Sequence, residues 1–302
     1  KDLAETYGNV FIEKVQTLMT SDNIRILDIA ELPTKPIAPN TLLSTLIMAA
    51  IGLMSGCTIA FFIEYFDDTI RTAEDVELYM NTPVIGAIPD FTTLNRTTQN
   101  AYETLKTNIQ LYNFGKNIKS LAVTGYSSGD GKTTTAYNLA CTFAHSGSTV
   151  LYVDADMHKP EILKELKGEN FKGLSHVLLG KLTLNDVINS SDISGLDYVI
   201  GGIMPINPLS LLNSANFNEF LTNTCKLYDI VIVDTPPLGS VIDSIAISAQ
   251  TDATIFVLKP GKVSIKHSQQ VIKQLKNIKM QLLGVVINKI SKYDYRNYFG
   301  EY

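Results

Sequence analysis

The sequence predicts an α/β protein: a P-loop, doubly wound, mostly parallel sheet with helices on both faces, preceded by a transmembrane helix and a small N-terminal segment. From about residue 100 the apolar runs SLAVTG, TVLYVDAD, LDYVIGG, DIVIVDTPP, ATIFVLKP and LLGVVINK alternate with helix-length segments. Continuous Val/Ile/Leu runs of this kind are the pattern of parallel strands buried on both faces. A glycine-rich turn joins the first of these strands to a helix. Ahead of them, no residue between Lys35 and Glu64 is charged.

The N-terminal part is taken first. Phe11, Val15 and Leu18 fall on one face of a helical pattern, and IRILDI alternates as a strand does. Pro33, Pro36 and Pro39 in LPTKPIAPN favour an extended, polyproline-like approach. Residues 41–63 would then run about 34 Å as a helix, enough to cross a hydrocarbon core of about 30 Å. Gly52, Gly56 and Ala60 form a small-residue stripe along it, as in helices that pack closely. Beyond the span, Thr72 caps a short helix with Asp75 three residues on, Pro83 ends it, and VIGAIPD is a short strand. The polar residues 91–99 are the expected linker.

Composition sets the outer limits. A chain of 302 residues with 45% hydrophobic and 18% charged residues is neither disordered nor collagen-like, and suggests about two domains at roughly 150 residues each. Its mean hydropathy of +0.10 is raised by the apolar stretch at 41–63. The net charge of −5 argues against nucleic acid as a partner. Cys57, Cys141 and Cys225 have neither CxxC nor metal-ligand spacing, so neither disulfides nor zinc are expected and a reducing compartment is. Starting on Lys1 rather than Met, the chain reads as a piece of a longer polypeptide.

The turn after SLAVTG reads Gly125-Tyr-Ser-Ser-Gly129-Asp-Gly131-Lys132-Thr133-Thr134 and opens the helix AYNLACTFAHSG. Glycines between strand and helix bare backbone N–H groups, and the helix dipole adds positive potential, so the turn makes a phosphate cradle. Gly129, Asp130, Gly131, Lys132, Thr133 and Thr134 are its expected nucleotide contacts, with Lys132 on the β- and γ-phosphates and Thr133 on Mg²⁺. Tyr126 stands where the usual first glycine would be. Asp234 follows DIVIV in the position of a metal-holding Walker B aspartate. Asp154 and Asp156 end TVLYV one strand period apart, and in open α/β sheets such strand ends converge on one crevice. Asn288, at the end of the last strand, is a candidate for the adenine or for a loop cap.

With its parts in this order, GDGKTT, DADMHKP, VIVDTPP and KYDYRNYFGEY, the chain resembles bacterial tyrosine kinases, the polysaccharide-biosynthesis tyrosine autokinases. Residues 1–90 are similar to the C-terminal part of a polysaccharide chain-length determinant, through LPTKPIAPN and DDTIRTAEDVE. The resemblance implies an ATP- and Mg²⁺-dependent autokinase that regulates exopolysaccharide or capsule synthesis and export. It assigns Lys132 to phosphate, Asp154 to the tyrosine proton, and Thr133, Asp156 and Asp234 to the metal. Tyr293, Tyr295, Tyr298 and Tyr302 become acceptors phosphorylated by a neighbouring subunit. It also implies a homo-oligomer in the lipid of an inner or plasma membrane, with polysaccharide polymerase and export machinery and a tyrosine phosphatase as partners. Residues 1–40 would be extracytoplasmic, 41–63 the span, 64–99 a cytoplasmic linker, 100–290 the kinase domain and 291–302 the tail. Three motifs depart from the family pattern. His158 replaces the arginine of DxDxR, Ser128 a loop proline, and Asn100, Glu103 and Lys106 an ExxRxxR assembly motif.

Two other functions fit parts of the sequence. A partition or septum-site ATPase has a similar loop but carries a lysine where this chain has Ser127. A non-enzymatic chain-length scaffold with a degenerate nucleotide module would not be expected to keep Lys132, Thr133, Asp154, Asp156 and Asp234 together.

Overall fold

In the N-terminal unit, apolar content alone dictates a helix. Asn40 starts it, its side chain accepting the N–H of Leu43 at 3.4 Å, and the helix then runs through Thr41–Tyr65 with no acid in its first turn and no base in its last. The protein is described here by a computed structural model covering residues 1–18, 28–29, 31, 39–90, 96–114, 116–158, 172–239, 242–277, 280–291 and 294–295. Two compact units make up the chain, Lys1–Asp67 and Asp68–Tyr302. The first contains α1 (Asp2–Leu18), which buries no residue, and α2 (Thr41–Tyr65). Among the described residues α2 is the one helix long and apolar enough to cross a membrane, with a mean hydropathy of 2.3. Phe61 stacks on Tyr65 and Phe62 on Phe66 at its C-terminal end, one turn apart, as aromatic residues gather at a membrane interface. Most of IRILDI and of the proline run lies outside the described residues.

The second unit opens on a cap. Thr72 Oγ1 accepts the N–H of Asp75, and Asp75 Oδ2 accepts those of Arg71 and Thr72, starting α3 (Ala73–Asp75). The turn goes on as a π-helix over Val76–Met80 and stops at Asn81, which has a left-handed backbone. The sheet follows: β1 (Val84–Pro89), β2 (Ser120–Gly125), β3 (Val150–Asp154), β4 (Asn189–Ser190), β5 (Leu196–Val199), β6 (Ile230–Asp234), β7 (Ala253–Leu258) and β8 (Leu282–Ile290). Among the described residues the order is β1-β8-β7-β2-β6-β3-β5-β4, parallel throughout except between β4 and β5.

Alternate residues of each strand feed opposite cores. Leu121, Val123, Val150, Tyr152, Ile230, Ile232, Ile255 and Val257 pack with α4 (Arg96–Asn113) and α5 (Lys132–His145). Their neighbours Ala122, Leu151, Val153, Val231 and Val233 meet α6 (Leu174–Leu178), α7 (Pro208–Leu212), α8 (Ala215–Leu227) and α9 (Asp243–Ser248). Phe256, Val285 and Ile287 meet α10 (Ile265–Asn277) together with Ile70, Val76 and Met80. Burial on both faces, worth about 1.5–3 kcal/mol for each large apolar side chain, makes the sheet a rigid base for the strand ends.

The boundary of this unit differs from the expected linker at 64–99. VIGAIPD is a working strand of the sheet, since β1 pairs in parallel with β8, and α4 packs on it through Leu105, which sits against Gly86. Ile70, Val76 and Met80 are fully or almost fully buried. Three scattered apolar residues and one strand suffice to bind residues 68–90 to the core, although no long apolar run marks them in the sequence. Residues 91–95 lie outside the described set.

Candidate active site

Register brings the predicted carboxylates to the cradle. β6 lies between β2 and β3, with Val123 beside Asp234 and Asp154 beside the same Asp234, and Gly125 pairs with Val257 on the other flank. The loop at residues 125–131 thus leaves the sheet directly beside both strand-end aspartates. Gly125 must be glycine, because a Cβ there would lie 2.5 Å from the Val257 carbonyl.

The loop's own carbonyls explain its shape. Four successive ones each accept from a side chain: Ser127 O from Lys132 Nζ at 2.9 Å, Ser128 O from Lys262 Nζ, Gly129 O from Lys289 Nζ at 3.4 Å, and Asp130 O from Asn288 Nδ2 at 2.9 Å. The N–H groups of Ser127 and Asp130 close the turn on Asp130 Oδ2 and Ser127 O, and the remaining N–H groups of the glycine turn are those a bound anion can meet. Asn288 Oδ1 in turn accepts the N–H of Lys289. Both ends of that amide are therefore used within the protein, which places Asn288 as a tie between loop and sheet.

Gly131 caps α5 with φ +90°, and a Cβ on it would fall 1.9 Å from Asn288 Nδ2. Gly131→Ala is expected to destabilise the protein by about 1–3 kcal/mol and to weaken nucleotide binding, measured by thermal unfolding and by titration with a fluorescent ATP analogue.

Asp234 is almost wholly buried, and its Oδ2 accepts the Tyr152 hydroxyl at 3.2 Å. Burial pushes its carboxyl up to about 7, opposed by the Thr133 hydroxyl and the Lys132 ammonium and reinforced by Asp156. Its Oδ1 is buried without a well-formed hydrogen bond among the described residues. Thr133, Asp156 and Asp234 are hard oxygen donors of the kind Mg²⁺ takes, and the orphaned Oδ1 fits such an ion. Asp154 is buried, and its Oδ1 accepts the Asp156 N–H at 3.0 Å, holding the two carboxylates in sequence.

Three predicted positions are used differently from the family pattern. His158, where the arginine was expected, places Nε2 at 2.7 Å from Asp243 Oδ2 at the start of α9, and its N–H reaches Asp156 Oδ1. Lys106 is buried in α4 and bonded to Glu103 and to Ser146 at the end of α5, so this part of the assembly motif is spent within the chain. Tyr295, the one tail tyrosine among the described residues, is half-buried against the apolar cluster around α10, and burial raises its hydroxyl. Tyr293, Tyr298 and Tyr302 lie outside them. Sequence reasoning missed Lys262, Lys289, Tyr152 and Asp243. Lys262 follows the carboxyl end of β7 and Lys289 is the penultimate residue of β8, and strand-end positions near a phosphate loop could have singled them out.

An AAA domain family model matches residues 118–288. Tyrosine-protein kinase YwqD of Bacillus subtilis (strain 168) is 36% identical over 201 residues, covering 66% of this chain and 85% of that protein. Tyrosine-protein kinase CpsD of Streptococcus pneumoniae serotype 4 is 38% identical over 190 residues, covering 63% and 83%. The kinase domain of Escherichia coli tyrosine kinase ETK superposes with a TM-score of 0.69 at 25% identity, covering 74% of this chain and 96% of that domain.

Proposed function

Because this chain belongs to the bacterial tyrosine-protein kinases of polysaccharide synthesis, built on an AAA domain, we propose that it phosphorylates the tyrosines of its own C-terminal tail between subunits. It is a nucleotide-binding protein-tyrosine kinase with an α/β fold. The observation that carries the finer reading is the convergence of the 125–134 loop, Asp234 and Asp154 on adjacent strand ends, in a chain that also carries the tyrosine-rich stretch KYDYRNYFGEY.

Phosphoryl transfer asks a protein mainly for positioning and charge neutralisation. Loop N–H groups from Gly129 to Thr134 bind the phosphates, and Lys132 supplies a point charge at the β- and γ-phosphates. Asp154 accepts the proton of the attacking tyrosine hydroxyl while the bond from the γ-phosphorus to the ADP oxygen breaks and the bond to the tyrosine oxygen forms. His158 and Asp243 steady Asp156 through the His158 backbone and ring. Thr133, Asp156 and Asp234 would hold Mg²⁺, which when bound neutralises charge on the phosphoryl oxygens.

The membrane setting is part of the proposal: residues 1–40 outside the cytoplasm, α2 in an inner or plasma membrane, and the nucleotide site on the cytoplasmic side. A homo-oligomer brings one subunit's tail to another's site. Polymerase or export components and a phosphatase are its proposed partners. Each phosphate adds about −1.5 to −2 charges, so a multiply modified tail repels its neighbours and loosens the assembly.

The test mixes two chains in detergent with ATP and Mg²⁺: an inactive Lys132→Met chain with its full tail, and an active chain ending at residue 291. Label is expected on the tail of the first, mapped by mass spectrometry. Label absent from that tail, while intact active chains label themselves, would overturn transfer between subunits. Hydrolysis without any phosphotyrosine would overturn the proposed acceptors.

A further inference from the structure

Asp130 is a carboxylate built into a loop that binds a polyanion. Its side chain is wholly inaccessible to solvent, so water does not screen it. The loop needs it for shape: Oδ2 accepts the Ser127 N–H at 2.6 Å, closing the turn across three residues. Left alone, the same charge would repel the phosphates that the turn exists to hold.

Lys262 meets that charge. Its Nζ lies 3.1 Å from Asp130 Oδ1 and also donates to Ser128 O, so the ammonium spans the outside of the turn. Its position is set by backbone on both sides. Gly261 N–H donates to Ile70 O, and Ile70 N–H donates to Val263 O, each at 2.9 Å, while Thr69 bridges Ser264. Ile70 is itself completely buried. Lys262 is thus delivered from a pinned loop, with only its side chain free to turn.

We propose that Lys262 is a positioning residue for the nucleotide, cancelling the charge of Asp130 so that the cradle offers net positive potential to the phosphates. It acts through Asp130 and touches no reacting atom. Asp130 is the buried member of the pair and Lys262 is one-third exposed, so removing Lys262 leaves a buried negative charge uncompensated next to the bound phosphates. The penalty therefore depends on Asp130 and grows with the charge of the ligand. The inference rests on the 125–134 loop being the phosphate cradle.

The test is a double-mutant cycle on the full chain in detergent, titrated with a methylanthraniloyl-labelled ATP, the corresponding ADP and labelled adenosine. Lys262→Met is expected to weaken ATP binding about tenfold or more, ADP less, and adenosine not at all. In an Asp130→Asn background the same substitution is expected to cost no more than about threefold. Lys262→Arg should keep ATP binding close to the parent, because the charge is retained. Thermal unfolding of every variant identifies any that fails to fold. If Lys262→Met does not fold, the comparison is made with Lys262→Gln. An equal penalty in both backgrounds would mean that Lys262 binds phosphate directly and would overturn the proposal, as would no penalty. Failure of the unaltered chain to bind ATP would overturn the cradle assignment as well, so the two failures are distinguishable.

Discussion

Replacing Lys132 by Met is expected to reduce ATP-dependent tail phosphorylation at least about a hundredfold, to the limit of detection by phosphotyrosine blotting or radiolabel. The size of the effect follows from what the ammonium does. Lys132 is buried at the first turn of α5, and its Nζ already bonds the loop at Ser127 O, in reach of the cradle it serves. In a site screened from water, one fixed positive charge beside a transferring phosphoryl group counts for more than it would at the surface. Methionine removes that charge but keeps the side-chain stem. The stem matters, because the Lys132 methylenes lie close over Gly125, about where a Cβ would touch them. The variant should therefore unfold at a temperature near that of the parent, and its loss of activity then reports chemistry rather than folding. Retained phosphotyrosine in a folded Lys132→Met chain would remove this residue from the mechanism.

Asp154→Asn is expected to lower kcat by about a hundredfold to ten-thousandfold while changing ATP affinity by only a few fold. The carboxamide keeps an oxygen for the Asp156 N–H, so the turn after β3 survives. What it loses is the ability to take a proton from tyrosine. Single-turnover kinetics at saturating ATP separates this from a binding defect. A folded Asp154→Asn chain with undiminished single-turnover rate would exclude Asp154 as the base and direct attention to Asp156.

Much of this site was legible in the sequence because its parts are local. A glycine turn between an apolar strand and a helix needs only about ten consecutive residues to be recognised, and a strand-end aspartate needs about six. The apolar helix at 41–65 was legible for the same reason, since its composition is its signal. The thread of residues 68–90 into the sheet was not, because β1 earns its place by pairing with β8, about two hundred residues away along the chain. The packing of the Tyr295 ring against the core was not legible either, because its sequence neighbours are polar and the contact is tertiary.

By itself, the sequence determined the α/β class, the glycine turn that opens a helix at Lys132, the strand-end places of Asp154 and Asp234, and a helix long and apolar enough to span a membrane. Only the tertiary structure decided what surrounds them. Lys262, Asn288 and Lys289 reach the loop from positions 134, 158 and 160 residues away from the carbonyls they bond. His158 finds Asp243 across 85 residues, and Lys106 finds Ser146 across 40. No local periodicity encodes such pairs. They exist because the fold brings separate elements together: the parallel sheet gathers Lys262, Asn288, Lys289, His158 and Asp243 near the carboxyl ends of its strands, and the packing of α4 beside α5 joins Lys106 to Ser146.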